Sequence, residues 1–136
     1  MTVLLVDAAN VVGSRPDGWW RDRAGAAARL LTRLAALPGR SLPAPDGGRM
    51  TCTGVVAVVE GEAREAPAPD GVLVERAAGS GDDALAACAA RLAGDRELLV
   101  VTADRGLRAR LPDGAAVAGP GWLLRVLDEI GRAQPA

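Results

Sequence analysis

The sequence predicts an α/β protein: a three-layer sandwich around a mainly parallel central sheet. Three short apolar runs, Val3–Val6, Thr53–Val59 and Leu98–Thr102, are separated by stretches of helical periodicity, the alternation that builds parallel sheets with helices on both faces. The runs are continuous rather than alternating, as expected of strands buried on both sides. At 136 residues the chain suits one domain spanning 1–136, large enough to bury a core without disulfide or metal staples.

Val3–Val6 closes on Asp7 and reads as a central strand. Val11–Gly18 reads as a loop, interrupted by Gly13, Pro16 and Gly18. From about Asp22 to Leu37 the spacing predicts a helix, with Ala27, Leu30, Leu31, Leu34 and Leu37 on one face and Arg29 and Arg33 outside it. Pro38-Gly39 ends that helix and opens a Pro/Gly-rich surface loop through Gly48. Thr53–Val59 is a second buried strand closing on Glu60-Gly61, and Val72–Val74 a short third. Ser80–Leu92 predicts a helix, Leu98–Thr102 a fourth strand leading into Asp104, and Gly106–Leu111 a short helix. Ala115–Ala118 is expected as a small edge strand and Gly121 to about Ile130 as the closing helix. Right-handed crossovers would then gather the loops that follow the strands on one edge of the sheet.

Composition excludes several chemistries. The chain has no histidine, tyrosine or phenylalanine, so neither a Ser-His-Asp nor a Cys-His site can be built, nor a histidine-ligated zinc or iron centre. Cys52 and Cys88 form no C-x-x-C pair, and Cys88 sits in an alanine-rich helical stretch where a small buried thiol is expected. Two unpaired cysteines, with an opening apolar run too short for a signal sequence, predict a cytoplasmic protein; no apolar stretch is long enough to span a membrane. The formal net charge of -1 argues against nucleic-acid binding by a global positive field, though not against a local arginine patch.

The carboxylates fall in a pattern. Asp7, Glu60 and Asp104 each lie at or just past the end of an expected strand, and Asp82 and Asp83 lie in the first turn of a helix entering from the same edge. In open α/β sheets that edge binds ligands. Clustered carboxylates repel unless a cation neutralises them, and oxygen-only donors favour Mg2+ or Mn2+. Structural roles compete with this reading. Ser80 and Asp83 match a helix capping box, and Asp104 suits an N-cap. A strand-end glutamate such as Glu60 is often only solvated. Asp7 resists a purely structural account, because a carboxylate directly after four buried apolar residues is costly without compensation.

These residues resemble motifs of a known family. Val6-Asp7-Ala8-Ala9-Asn10-Val11 resembles the first-strand motif of the NYN branch of PIN-like nucleases, an aspartate with an asparagine three residues later. Gly81-Asp82-Asp83-Ala84-Leu85 resembles its second acidic motif at a helix start, and Val101-Thr102-Ala103-Asp104-Arg105 its strand-end T-[SA]-D signature. The order matches from Thr2 to Leu111. The resemblance implies a PIN-like fold and a Mg2+ or Mn2+ centre held by Asp7, Asp82 and Asp104. It further implies hydrolysis of RNA phosphodiester bonds, with Asn10 orienting Asp7, a phosphate or a water. Glu60 and Asp83 are the candidates for the fourth acid that the family usually has. Arg15 and Arg105 are the arginines best placed to touch phosphate. Trp19 and Trp20 could stack on bases of single-stranded RNA, or anchor the first long helix, or form part of a homodimer face. One indole is expected to pack inward and the other to stay partly exposed. Two other functions remain open on the sequence. One is a metal-dependent nucleoside-triphosphate pyrophosphohydrolase, although neither an E-x-x-E pattern on a long expected helix nor a glutamate-rich Nudix box is present. The other is a non-catalytic PIN-like RNA-binding or interaction module.

Overall fold

A computed structural model describes residues 1–94 and 97–133. The elements in chain order are β1 (Thr2–Asp7), α1 (Ala8–Val12), α2 (Arg23–Leu34), β2 (Ser41–Pro43) and β3 (Arg49–Val59). After these come β4 (Val72–Arg76), α3 (Gly81–Leu92), β5 (Glu97–Val101), α4 (Arg105–Arg108), β6 (Ala116–Ala118) and α5 (Pro120–Ala133). Short 3-10 turns occupy Trp19–Arg21 and Gly61–Glu65.

The sheet runs β2-β3-β1-β5-β6, with β4 also pairing β3. Only the β2–β3 pairing is antiparallel among the described strands, so the sheet is mixed but mainly parallel. Alternation along the central strands divides the core. Leu4, Val6, Val55, Ala57, Val59, Leu99 and Val101 face the layer formed by α1, α2 and α5. Leu5, Val56, Val58, Leu98 and Val100 face Leu85, Cys88 and Ala89 of α3. The strands are therefore buried on both sides, which is why their sequences read as continuous apolar runs. This is the three-layer α/β fold with a mainly parallel sheet that the sequence predicts.

Three local expectations need correction. Residues 8–12, partly assigned to a loop, form α1: the Asp7 carboxylate accepts the Asn10 N–H at 3.3 Å and Gly13 closes the turn. Five residues are too few to display a helical period, and the capping aspartate was visible only as a site residue. The stretch through Gly48, expected to be irregular, contains a hairpin. Ser41–Pro43 pairs with Arg49–Thr51, and Gly47 takes the left-handed conformation at φ 95° in the connection. Pro43 can be accommodated because β2 is an edge strand, and its carbonyl accepts the Trp122 indole N–H at 3.1 Å. The first long helix also stops at Leu34; Leu37 lies beyond it yet is completely buried.

α2 begins where the Asp22 side chain accepts the Gly25 N–H at 2.9 Å, and it buries Leu30, Leu31 and Leu34 against the sheet. Leu31 has no exposed surface. Leu31→Ala should lower stability by about 3 kcal/mol through lost transfer energy and the cavity left behind, read as a lower urea midpoint with an unchanged slope. A loss below about 1 kcal/mol would mean that α2 is not held by this contact.

Candidate active site

β1, β3 and β5 run parallel in a register that places Val6 opposite both Ala57 and Val101. Their carboxyl ends therefore finish together, and the segments beginning at Asp7, Glu60 and Thr102 leave from one edge. Ser80 starts α3 at the same edge by accepting the Asp83 N–H at 3.1 Å.

The connection between the strand ends is made by Thr102, which has no exposed surface. Its hydroxyl donates to Asp7 Oδ2 and accepts the Asp104 N–H, both at 3.1 Å. Its carbonyl accepts two N–H groups of Arg108, at 3.2 and 2.7 Å. Asn10 adds a second tie: its Oδ1 accepts the Ala103 N–H at 2.8 Å, while its own N–H donates to Asp7. The Asn10 side chain thus clamps the loop after β5, and its backbone orients Asp7. Asp104 caps α4 through the Leu107 N–H at 3.0 Å. Thr102 sits within the T-[SA]-D signature, but nothing in the sequence alone indicated that it would bridge two acids.

The two candidates for a fourth acid part company. Asp83 turns away to Arg110, 2.9 Å distant, and that hydrogen bond holds its carboxyl below the usual range, helped by Ser80. Glu60 instead points to the amino end of α3, where its Oε2 accepts the Gly81 N–H. A Cβ at position 81 would stand 2.6 Å from that oxygen, so the close approach depends on glycine.

Burial pushes the Asp7 carboxyl above the usual range; hydrogen bonds from Asn10 and Thr102 pull it back, while the charges of Asp82 and Glu60 raise it further. Asp82 is also raised, first by partial withdrawal from water and then by the charges of Asp104 and Glu60, with Arg110 opposing. These acids therefore share one electrostatic field. Among the described residues, however, no three acidic or thiol groups stand at metal-ligating spacing.

The arginines and tryptophans are distributed around this edge. Arg105 is exposed on the first turn of α4. Arg15 lines a cleft with Asn10, Ala103 and Arg125, but its guanidinium is engaged by Asp128 at 2.9 Å, which Arg33 also meets at 2.7 Å. Hydrogen bonds from those two arginines hold the Asp128 carboxyl down at about 2. On the other side of Ala8 and Ala9, Trp19 is half-buried and Trp20 exposed, as expected of adjacent residues on a short turn. Arg23, which belongs to no recognised motif, lies over the Trp19 ring at 5.2 Å.

Fold and site together define an α/β domain of PIN-like architecture with an acidic carboxyl edge. No protein-family model matches the chain, and no curated protein matches it in sequence. Among solved structures, the fold is similar to that of Rae1 (YacP) from Bacillus subtilis, crystallised as a single-site mutant. The TM-score is 0.69 and the identity 21%, over 97% of this chain and 78% of that one. At that identity the likeness is one of fold.

The raised Asp7 carboxyl has a consequence for stability. Because its folded-state pKa lies above the unfolded value, its contribution is fully present below the unfolded value and is lost as pH rises through the folded one. Asp7→Asn should therefore leave the metal-free protein at least as stable as wild type at neutral pH. That advantage should shrink as pH falls into the ordinary carboxylate range. Paired thermal melts in chelator across pH would show it; an advantage that grows on acidification would contradict the assigned environment of Asp7.

Proposed function

We propose that this chain is a metal-dependent ribonuclease of the NYN branch of PIN-like nucleases, hydrolysing phosphodiester bonds in single-stranded RNA. The observation that carries the reading is the convergence of Asp7, Asp82, Asp104 and Glu60 on one sheet edge, with the carboxyls of Asp7 and Asp82 raised partly by neighbouring acids. The likeness of fold to Rae1 supports the architecture on which the reading rests.

Asp7, Asp82 and Asp104 would hold Mg2+ or Mn2+, with Glu60 as the fourth acid because Asp83 is committed to Arg110. The donor chemistry fits: all the groups are carboxylates, as hard cations prefer. Mg2+ commonly binds through one or two carboxylates and keeps several waters, so three carboxylates need not be preassembled at ligating distance. Such an ion would supply Lewis-acid stabilisation of charge at a phosphoryl oxygen and would acidify water.

The chain's own groups supply position. Thr102 and Asn10 fix the Asp7 carboxylate from two sides. The Gly81 N–H holds Glu60 against the start of α3. Arg105, beside Asp104, offers a planar guanidinium fork for a phosphate. Arg15 is a weaker candidate than its sequence position implied, since Asp128 already engages it.

Asp7→Asn should reduce cleavage of single-stranded RNA to background in Mg2+ or Mn2+ while preserving the fold. Mn2+ should raise the wild-type melting temperature by mass action, by the equivalent of roughly 2.7 kcal/mol at a hundredfold excess over Kd, and the variant should lose most of that shift. Release of pyrophosphate from free nucleotides with RNA spared would instead identify a pyrophosphohydrolase. RNA retention without cleavage would identify a binding module. A wild-type protein inert toward RNA and without a thermal shift would count against the ribonuclease reading.

A further inference from the structure

We propose that the cleft walled by Trp19 and Trp20, beside the acidic edge, is a stacking seat for one unpaired nucleobase of an RNA strand. The identity of the polymer rests on the ribonuclease reading, but the seat can be tested without any cleavage.

The cleft has a volume of about 730 Å³, within the rough 300–1,000 Å³ range of small-ligand sites. Trp19, Trp20 and Arg23 line one part of it, and Glu60 and the turn that follows line another. Ala8, immediately after Asp7, also borders it. A ligand seated there is therefore next to the carboxylates rather than on a remote face.

The aromatic wall is built and held. Gly18, at φ 87°, opens the turn in a left-handed conformation, and Asp22 closes it by capping α2. The two indoles meet edge to face, with centroids 5.8 Å apart and planes at 85°. Both rings border the cleft, and the exposed part of Trp20 is the surface open to a third π-system. Trp20 is 49% exposed, and among the described residues only Met1 and Leu73 are other large apolar side chains left so open. With Trp19 beside it in the same cleft, this indole offers an apolar face with a polar edge, the kind of surface enriched at interfaces.

Positive charge lies at the indoles, while Glu60 and Glu62 line another part of the cleft. The Arg21 guanidinium lies 6.0 Å from the Trp20 ring centroid and Arg23 5.2 Å from that of Trp19. Each cation steadies its ring and places positive charge where the phosphates flanking a stacked base would run. An aromatic platform edged by arginines is the surface that binds single strands with little sequence preference. A base inside a duplex has its faces covered by neighbours and cannot enter. A second cleft, which shares Ala9 with the first, is lined by Asn10 and Arg125 and would receive the backbone beyond the acids.

The test is tryptophan fluorescence in EDTA, so that no turnover is needed. Trp122 is 9% exposed and tied to Pro43, which leaves Trp19 and Trp20 as the indoles that can report. A short single-stranded oligoribonucleotide should quench wild-type emission saturably. The same sequence as a duplex should not, and inorganic polyphosphate, which has the charge without bases, should not either. Trp20→Ala should weaken binding of the single strand by about tenfold or more, whereas Trp20→Phe should retain most of it. Equal quenching by duplex or polyphosphate would overturn the seat, as would unchanged affinity in a folded Trp20→Ala protein. So would a change of oligomeric state in Trp20→Ala with RNA affinity untouched, which would assign the indoles to a dimer face. Quenching by single strands from a protein that never cleaves RNA would support the seat while removing the ribonuclease reading. Cleavage without base-dependent quenching would do the reverse.

Discussion

Thr102 is completely buried, and its one hydroxyl serves two partners that belong to different strands' ends: it donates to Asp7 and accepts from the backbone of Asp104. A buried hydroxyl left unpaired would be costly. It is satisfied only when the ends of β1 and β5 stand side by side and the loop after β5 folds back over them. The Asn10–Ala103 hydrogen bond closes the same loop from the other side. The position of Asp7 relative to Asp104 follows from these bonds and from the parallel register of the two strands. Every feature of the acidic edge is built on that spacing.

The edge concentrates negative charge, and helix starts offset part of it. Glu60 and Asp82 sit at the amino end of the twelve-residue α3, where unpaired N–H groups and the helix dipole favour anions. Asp7 and Asp104 cap the shorter α1 and α4. Each of these acids thus has a local structural task, yet Asp7 and Asp82 remain raised. Capping does not remove the mutual repulsion. On the reading proposed above, a bound cation would offset that repulsion by favouring the charged form of each acid.

Around the acids the arginines have divided roles. Arg15 and Arg33 are drawn together by Asp128 on α5, and Arg110 by Asp83. Arg21 and Arg23 instead lie over indoles. A formal net charge of -1 therefore says little about the local charge around the edge. The relevant cations sit on two flanks of the acidic edge, one beside aromatic rings and the other beside Asn10.

The sequence by itself determined the layered α/β fold, because burial on both faces leaves unbroken apolar runs and α2 leaves a one-sided leucine stripe. It also marked Asp7, Asp82 and Asp104 and the caps at Ser80 and Asp104, since capping and strand ends are local patterns readable within three or four residues. It missed α1, which is too short to show a period, and the β2–β3 hairpin, whose proline and glycines resemble those of an irregular loop. It left Glu60 and Asp83 undecided because one ends a strand and the other begins a helix at the same expected edge. Only the tertiary structure separated them, sending Asp83 to Arg110 and bringing Glu60 across to Gly81. Only the tertiary structure gave Thr102 its place, because its bond to Asp7 spans 95 residues of chain. A contact of that range is fixed by which strands pair and in what register, and no short stretch of sequence encodes it.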